Sequence, residues 1–238
     1  MLYLIGLGLN KDSISIEGMD ALKECEQVYL ESYTVDFPYT VETLEKSIKN
    51  KIIILDRAQV ESEDLIKEAK KKNVALLVYG CPLFATTHMS LISDAKSARV
   101  KTKIIYAASV FDAIAESGLQ LYKFGKITSM PTWQKSYEPY SFLESVQENQ
   151  SIQAHSLILI DIGLEFNDAL EQLEKALNKP EIKVKIEKMI ICSNLGTKDS
   201  KFSYDSINKL KTKKISKPFC FIIPGKMHFL EEEIVESF

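Results

Sequence analysis

The sequence predicts an α/β protein made of two α/β lobes. Short apolar segments alternate with longer amphipathic ones along most of the 238 residues, a pattern typical of strands and helices that follow one another. The runs Ile52–Leu55 and Ala75–Val78 are apolar throughout, which favours a substantially parallel sheet covered by helices on both faces. The irregular segment Gly125–Glu138 favours a linker region, and we divide the chain into an N-terminal domain, 1–119, and a C-terminal domain, 120–238.

Several segments have the length and apolar character of strands. They are Leu2–Gly6, Gln27–Glu31, Lys51–Leu55, Val74–Tyr79, Lys103–Tyr106, Ile127–Met130, Ser156–Ile162, Lys188–Cys192 and Phe219–Ile223. Helical spacing of apolar residues predicts helices between them. These are a helix from Gly18 to about Cys25 preceded by Ser15, and Thr40–Lys49, Glu61–Lys72, Thr87–Ala98 and Asp168–Leu177.

Composition narrows the function classes. The net charge is −3, from 30 basic and 33 acidic residues, so no electrostatic footprint for direct nucleic-acid binding is present. The four cysteines lie far apart without a CxxC pair, which favours reduced thiols over a disulfide framework or a metal site. No apolar run reaches the ~20 residues of a membrane span, and the N-terminus lacks a basic signal region. We therefore expect a soluble, cytoplasmic protein without metal or membrane contact.

The first candidate ligand-binding cluster is Gly6-Leu7-Gly8-Leu9-Asn10, directly after the first strand. Glycines at such a position allow a tight turn and close approach of a ligand. A dinucleotide-binding fingerprint with Glu31 on a ribose is rejected, because the third glycine is missing and polar residues intervene before the helix. A plain structural turn stays open.

Three further clusters follow predicted strands: Tyr79–His88, Tyr106–Val110 and Ile222–His228. Each has an ordinary alternative. The cluster Tyr79–His88 joins a strand to a helix, and a histidine at the position of His88 is more often a partnered core residue than a catalytic base. The cluster Tyr106–Val110 supplies small residues that either leave room for a flat ligand or pack tightly. In the cluster Ile222–His228, His228 either binds a ligand or caps a helix.

Together these clusters resemble the diphthine synthase family, a member of the tetrapyrrole methylase-like class of methyltransferases. The resemblance covers nearly the whole chain. Its most specific part is Ser109-Val110-Phe111 followed by Gly118–Lys126. The other matching segments are Leu2–Leu9, Leu30–Thr34, Pro82–His88, Leu159–Ile162 and Pro224–His228.

The resemblance implies two lobes of the tetrapyrrole methylase type, a cleft between them for S-adenosylmethionine, and a homodimer. It implies translation elongation factor 2 as the protein substrate, whose modified histidine is methylated on its amine on the way to diphthamide, with S-adenosylhomocysteine as product. The implied cofactor contacts are Leu9, Cys81, Phe84, Ser109, Val110, Ile160, Leu195 and His228.

The sequence departs from the family pattern at three places. Cys81 stands where the family usually has an aspartate, and a thiol is a weaker hydrogen-bond partner than a carboxylate. Asn194 stands where an arginine is usual, and many members continue past Phe238. Three alternatives stay open: a methyltransferase of the same fold acting on a corrin or porphyrin precursor, a non-catalytic relative weakened at Cys81, and, more distantly, a nicotinamide oxidoreductase. No catalytic residue is assigned; Trp133, Tyr137 and Tyr140 either contact the protein substrate or pack in the core.

Overall fold

Two units make up the protein. The structure is a computed structural model that describes all residues from Met1 to Phe238, and its units are Met1–Val110 and Phe111–Phe238. The sequence-based division after residue 119 differs from this one by a short segment and stays a prediction.

The first unit contains a fully parallel sheet of five strands, in the order β3-β2-β4-β1-β5. The strands are β1 (Leu2–Gly6), β2 (Gln27–Glu31), β3 (Ile53–Leu55), β4 (Val74–Val78) and β5 (Thr102–Ile105). The helices are α1 (Ile16–Lys23), α2 (Val41–Ile48), α3 (Arg57–Val60), α4 (Asp64–Ala69) and α5 (His88–Ser97). The parallel sheet predicted from the apolar runs is confirmed in this unit.

Both faces of the central strands are buried. In β4, Leu76 belongs to one apolar cluster and Leu77 to another on the opposite face, because successive side chains of a strand alternate. The expectation that Ile52–Leu55 is covered on both faces is wrong. β3 lies at the sheet edge, and Ile53 and Ile54 are 47% and 50% exposed.

Local hydrogen bonds explain where the first helices begin. The Ser15 hydroxyl accepts from the backbone N–H of Gly18 at 3.0 Å, and Thr40 accepts from Thr43. Each bond satisfies one of the N–H groups that a helix leaves unpaired at its start. The helix predicted after Ser15 is confirmed.

The second unit has a mixed sheet in the order β6-β7-β10-β8-β9, in which only β6 and β7 are parallel. Its strands are β6 (Thr128–Met130), β7 (Ser156–Ile160), β8 (Met189–Ser193), β9 (Lys201–Asp205) and β10 (Phe219–Ile223). The helices that follow α5 are α6 (Val110–Ala113), α7 (Ser141–Ser151), α8 (Phe166–Leu177), α9 (Ile207–Leu210) and α10 (Phe229–Val235), with 3₁₀ turns at Ile114–Ser117 and Leu121–Lys123.

The prediction of a substantially parallel sheet is therefore wrong for most of the second unit. A short loop joins β8 to β9, and parallel strands need a crossover of a dozen or more residues. β9 was not predicted, because its alternating pattern Lys-Phe-Ser-Tyr-Asp carries few apolar residues.

Residues of α7, α8 and the sheet form the core of the second unit, including Phe142, Leu170 and Phe221. Trp133 packs against this core, and its indole N–H donates to Pro139 O at 3.0 Å. Gly125–Glu138 thus lies within this unit. No helix of the protein has the length and apolar character needed to span a bilayer.

Candidate functional site

The three predicted clusters of the first unit lie side by side. They follow β1, β4 and β5, which are neighbours in the sheet, and the carboxyl ends of parallel strands lie at one edge. Gly8 and Gly80 exchange backbone hydrogen bonds: Gly80 N–H donates to Gly8 O at 2.9 Å, and Gly8 N–H donates to Gly80 O at 3.3 Å. The structure therefore brings these three clusters together, as the βα alternation predicted.

Small residues give this edge its shape. A Cβ on Gly6 would lie 2.7 Å from Gly80 O and 2.9 Å from the Ala107 Cβ, so only glycine allows this approach. Gly8 and Gly80 have φ values of +69° and +68°, a conformation that other residues adopt at a cost. The glycines therefore let the loops that follow β1, β4 and β5 pack closely together at the end of the sheet.

Five of the implied cofactor contacts belong to this edge. Leu9 is buried, and its carbonyl accepts from the Tyr79 hydroxyl at 2.9 Å. Ser109 is buried, and its Cα lies 3.7 Å from where a Gly80 Cβ would stand. The remaining members are Cys81, a half-buried free thiol, and the half-buried Phe84 and Val110.

His88 supports the loop that carries Cys81 and Phe84. It is buried, its Nδ1 lies 2.9 Å from Pro82 O, and its Nε2 lies 3.4 Å from the Tyr33 hydroxyl. Thr86 also donates to Pro82 O, at 2.8 Å. The interpretation of His88 as a partnered core histidine is confirmed.

Glu31 is wholly buried at the end of β2, close to His88. Burial raises the pKa of its carboxyl, against a hydrogen bond from Thr34 and the nearby His88 that lower it. Its Oε2 has no hydrogen-bond partner. The sequence suggests Glu31 only as a ribose ligand, and no local pattern indicates a buried carboxyl near His88, since the tertiary structure brings residues 31 and 88 into the same region.

The three other implied contacts lie in the second unit. Ile160 ends β7, and Leu195 follows β8. Both strands run antiparallel to β10 between them, so Ile160 and Leu195 lie at the same edge of that sheet. His228 follows β10, which ends at the opposite edge. The sheet thus brings Ile160 and Leu195 together but directs the chain leading to His228 the other way.

His228 forms the N-cap of α10. Its backbone N–H donates to Glu231 Oε2 at 2.7 Å, and its Nδ1 lies 3.4 Å from the Leu230 N–H. The interpretation that it caps a helix is confirmed. Glu231 was not predicted, although a capping residue followed three positions later by glutamate is a recognisable pattern at the start of a helix.

Comparisons with known proteins agree with this architecture. A family model described as Tetrapyrrole (Corrin/Porphyrin) Methylases matches residues 1–210. Two diphthine methyl ester synthases match the whole chain: that of Dictyostelium discoideum is 33% identical with 98% of its length covered, and that of Homo sapiens is 31% identical with 95% covered. The crystal structure of a diphthine synthase superimposes with a TM-score of 0.88 at 30% identity, covering 100% of this chain and 95% of that one.

The chain belongs to the tetrapyrrole (corrin/porphyrin) methylase family, and it is a methyltransferase. Its relatives of similar length include two diphthine methyl ester synthases and a diphthine synthase, which confirms the resemblance drawn from the sequence motifs.

Proposed function

We propose that this chain methylates the modified histidine of translation elongation factor 2 in diphthamide biosynthesis, with S-adenosylmethionine as methyl donor. The observation that carries the proposal is agreement over the full chain with diphthine methyl ester synthases. The clusters that the paired Gly8 and Gly80 backbones hold together at the strand ends of the first unit support it, because α/β folds bind ligands at the carboxyl ends of parallel strands.

The residues present fit such a cofactor. The close packing at Gly6, Gly8 and Gly80 brings the half-buried Cys81, Phe84 and Val110 to one end of the sheet, and ligand sites combine apolar and aromatic side chains with a few polar groups in this way. We propose as contacts the eight residues implied by the family resemblance: Leu9, Cys81, Phe84, Ser109, Val110, Ile160, Leu195 and His228. The cofactor supplies a methyl group already activated on a sulfonium, and the protein supplies alignment and the exclusion of water.

No dedicated catalytic base is required. The acceptor amine has an unperturbed pKa of about 8, so a fraction of it is neutral at pH 7. A carboxylate acceptor is already ionised at that pH, which makes the methyl ester in the relatives' names chemically accessible to the same site. The histidines support this reading: His88 and His155 are buried and hydrogen-bonded, and His228 caps α10.

We further propose a cytoplasmic homodimer.

Of the aromatic residues considered for substrate contact, Trp133 and Tyr140 pack against the core of the second unit, whereas Tyr137 is 63% exposed. Tyr137 is therefore the aromatic residue that we assign to the protein substrate.

Calorimetric titration with S-adenosylmethionine and S-adenosylhomocysteine is the first test. Saturable binding at one site per chain, followed by mass spectrometric detection of methyl groups on elongation factor 2 that carries the unmethylated histidine modification, supports the proposal. Cofactor binding with turnover of a corrin or porphyrin precursor instead favours the tetrapyrrole alternative. Absence of binding refutes the proposal and favours a non-catalytic relative; activity restored by Cys81→Asp then locates the defect.

A further inference from the structure

A single buried carboxylate organises two separate motifs of the second unit. Glu231 in α10 is 1% exposed. Its Oε1 accepts from the Gln120 backbone N–H at 2.9 Å and from His155 Nε2 at 3.2 Å. Its Oε2 accepts from the His228 backbone N–H at 2.7 Å and from Lys123 Nζ. Donors from residues far apart in sequence thus fill both carboxylate oxygens.

The same network holds the loop Pro224–His228 at several points. His155 Nδ1 accepts from the Gly225 N–H at 2.8 Å, which fixes the tautomer so that Nε2–H donates to Glu231. Lys123 Nζ donates to Lys226 O at 2.7 Å, and the Lys226 N–H donates to Gln153 O at 3.1 Å. Hydrogen bonds from this network therefore reach Gly225, Lys226 and His228.

Steric contacts leave this loop little room to shift. A Cβ on Gly225 would lie 2.4 Å from Gln153 O and 2.5 Å from Ala154 C, so the loop backbone lies directly against the chain that precedes β7. Burial raises the pKa of Glu231, but its hydrogen bonds from Gln120, Lys123, His228 and His155 outweigh burial and lower that pKa to about 2. The carboxylate is thus charged throughout the physiological pH range.

A contribution to fold stability alone does not explain this network of hydrogen bonds. Burying a carboxylate with a lysine costs desolvation that the ion pair barely offsets, so well-packed apolar residues stabilise a core at least as well. A polar network of this kind instead specifies one conformation among several. The conformation specified here is that of the loop ending at His228 and of the segment Gly118–Lys126, which are two of the segments that carry the family resemblance.

We propose that Glu231 is a positioning residue that sets the conformation of the Pro224–His228 loop and, through it, the affinity for the adenosyl cofactor. The cofactor part of this inference rests on the proposed function, in which His228 is a contact.

The test compares Glu231→Gln with Glu236→Gln, a matched control at the C-cap of the same helix, whose carboxylate pairs with Lys188 at 2.8 Å on the surface. Glutamine keeps the size of the side chain but places an NH₂ group opposite donors, so some of the four bonds are lost. Hydrogen bonds to charged groups are strong enough that we expect a Kd for S-adenosylhomocysteine about tenfold or more above that of the wild type, by calorimetry. Glu236→Gln should bind like the wild type.

Amide hydrogen exchange in the absence of cofactor gives a second readout. In Glu231→Gln, exchange in peptides covering Pro224–His228 and Gly118–Lys126 should increase more than exchange in β8 and β10. Lys123→Met serves if Glu231→Gln does not fold, because it leaves the other three donors in place. It should produce the same changes to a smaller degree.

The outcomes separate the two hypotheses. Absence of binding by the wild type refutes the proposed function and the cofactor role of Glu231, and exchange then still decides whether Glu231 holds the loop. Wild-type binding together with unchanged affinity and unchanged loop exchange in a folded Glu231→Gln or Lys123→Met variant overturns the positioning role. Uniformly faster exchange throughout the second unit, with unchanged affinity, also overturns it and leaves Glu231 as a stability residue.

Discussion

Alanine at Gly8 should destabilise the first unit much more than alanine at Gly80. The two glycines have almost the same φ, +69° and +68°, so alanine at either position carries the same backbone strain. Their surroundings differ. A Cβ on Gly8 would lie 2.6 Å from Ser13 Oγ and 2.7 Å from Ser13 Cβ, whereas the nearest atom to a Gly80 Cβ is Ser109 Cα at 3.7 Å.

The magnitudes follow from these contacts. The left-handed conformation costs alanine about 1–2 kcal/mol, and this is the whole expected effect at Gly80. At Gly8 the clash also displaces Ser13, whose hydroxyl accepts from the Asn10 N–H at 2.8 Å and lies 2.8 Å from Asn10 O. Losing such partly buried bonds costs roughly another 1–2 kcal/mol. The free energy of unfolding should therefore fall by about 3 kcal/mol in Gly8→Ala.

Urea unfolding followed by circular dichroism measures the difference between the two variants. Tryptophan fluorescence is unsuitable for the first unit, because Trp133 is the single tryptophan and lies in the second. Hydrogen exchange of β1 and β4 peptides then assigns the change to the first unit. Equal losses in the two variants, or a larger loss in Gly80→Ala, would refute the reasoning from the Ser13 contact.

Three further predictions concern charge and thiols. The hydrogen bonds of Glu231 lower its pKa from 4.5 to about 2, so they stabilise the fold above pH 4.5. As the pH falls to 2, the free energy of unfolding of the wild type should lose about 3 kcal/mol of this contribution. The difference in urea stability between the wild type and Glu231→Gln should therefore shrink over that range. Cys81→Asp should lower the calorimetric Kd for S-adenosylhomocysteine by about tenfold, because a carboxylate accepts stronger hydrogen bonds than a thiol. In alkylation followed by mass spectrometry, Cys81 should react fastest of the four cysteines, and S-adenosylhomocysteine should protect it. Cys25 should react more slowly, because burial raises its thiol pKa to about 11. Cys192 and Cys220 should also react more slowly, because they are buried.

Each of these has its own control. The free energy of unfolding of Glu236→Gln should depend on pH as that of the wild type does between pH 4.5 and 2. If Glu231→Gln and the wild type lose equal stability over this range, the prediction for Glu231 is wrong. A Cys81→Ser variant should bind no more tightly than the wild type. For the alkylation experiment, equal protection of Cys25 and Cys81 would point to a general tightening of the protein and away from contact at Cys81.

Strand positions in the first unit were largely predictable, because their signal is local. β1 and β2 have the predicted bounds, and Ala75–Val78 is buried on both faces. The same reasoning was wrong for Ile53 and Ile54, since an apolar run looks alike in a central strand and an edge strand. Only pairing partners decide which of the two it becomes.

The fold class, the four candidate clusters and the family follow from the residues alone, because periodicity and ordered motifs are properties of the chain. Tertiary structure alone decided strand direction in the second unit, which places Ile160 and Leu195 at one sheet edge and sends the chain to His228 the other way. It alone also decided that Lys123, His155 and Glu231 meet. A buried carboxylate acquires its hydrogen-bond donors through packing between residues that are far apart in sequence, so no local sequence pattern indicates which donors it will have.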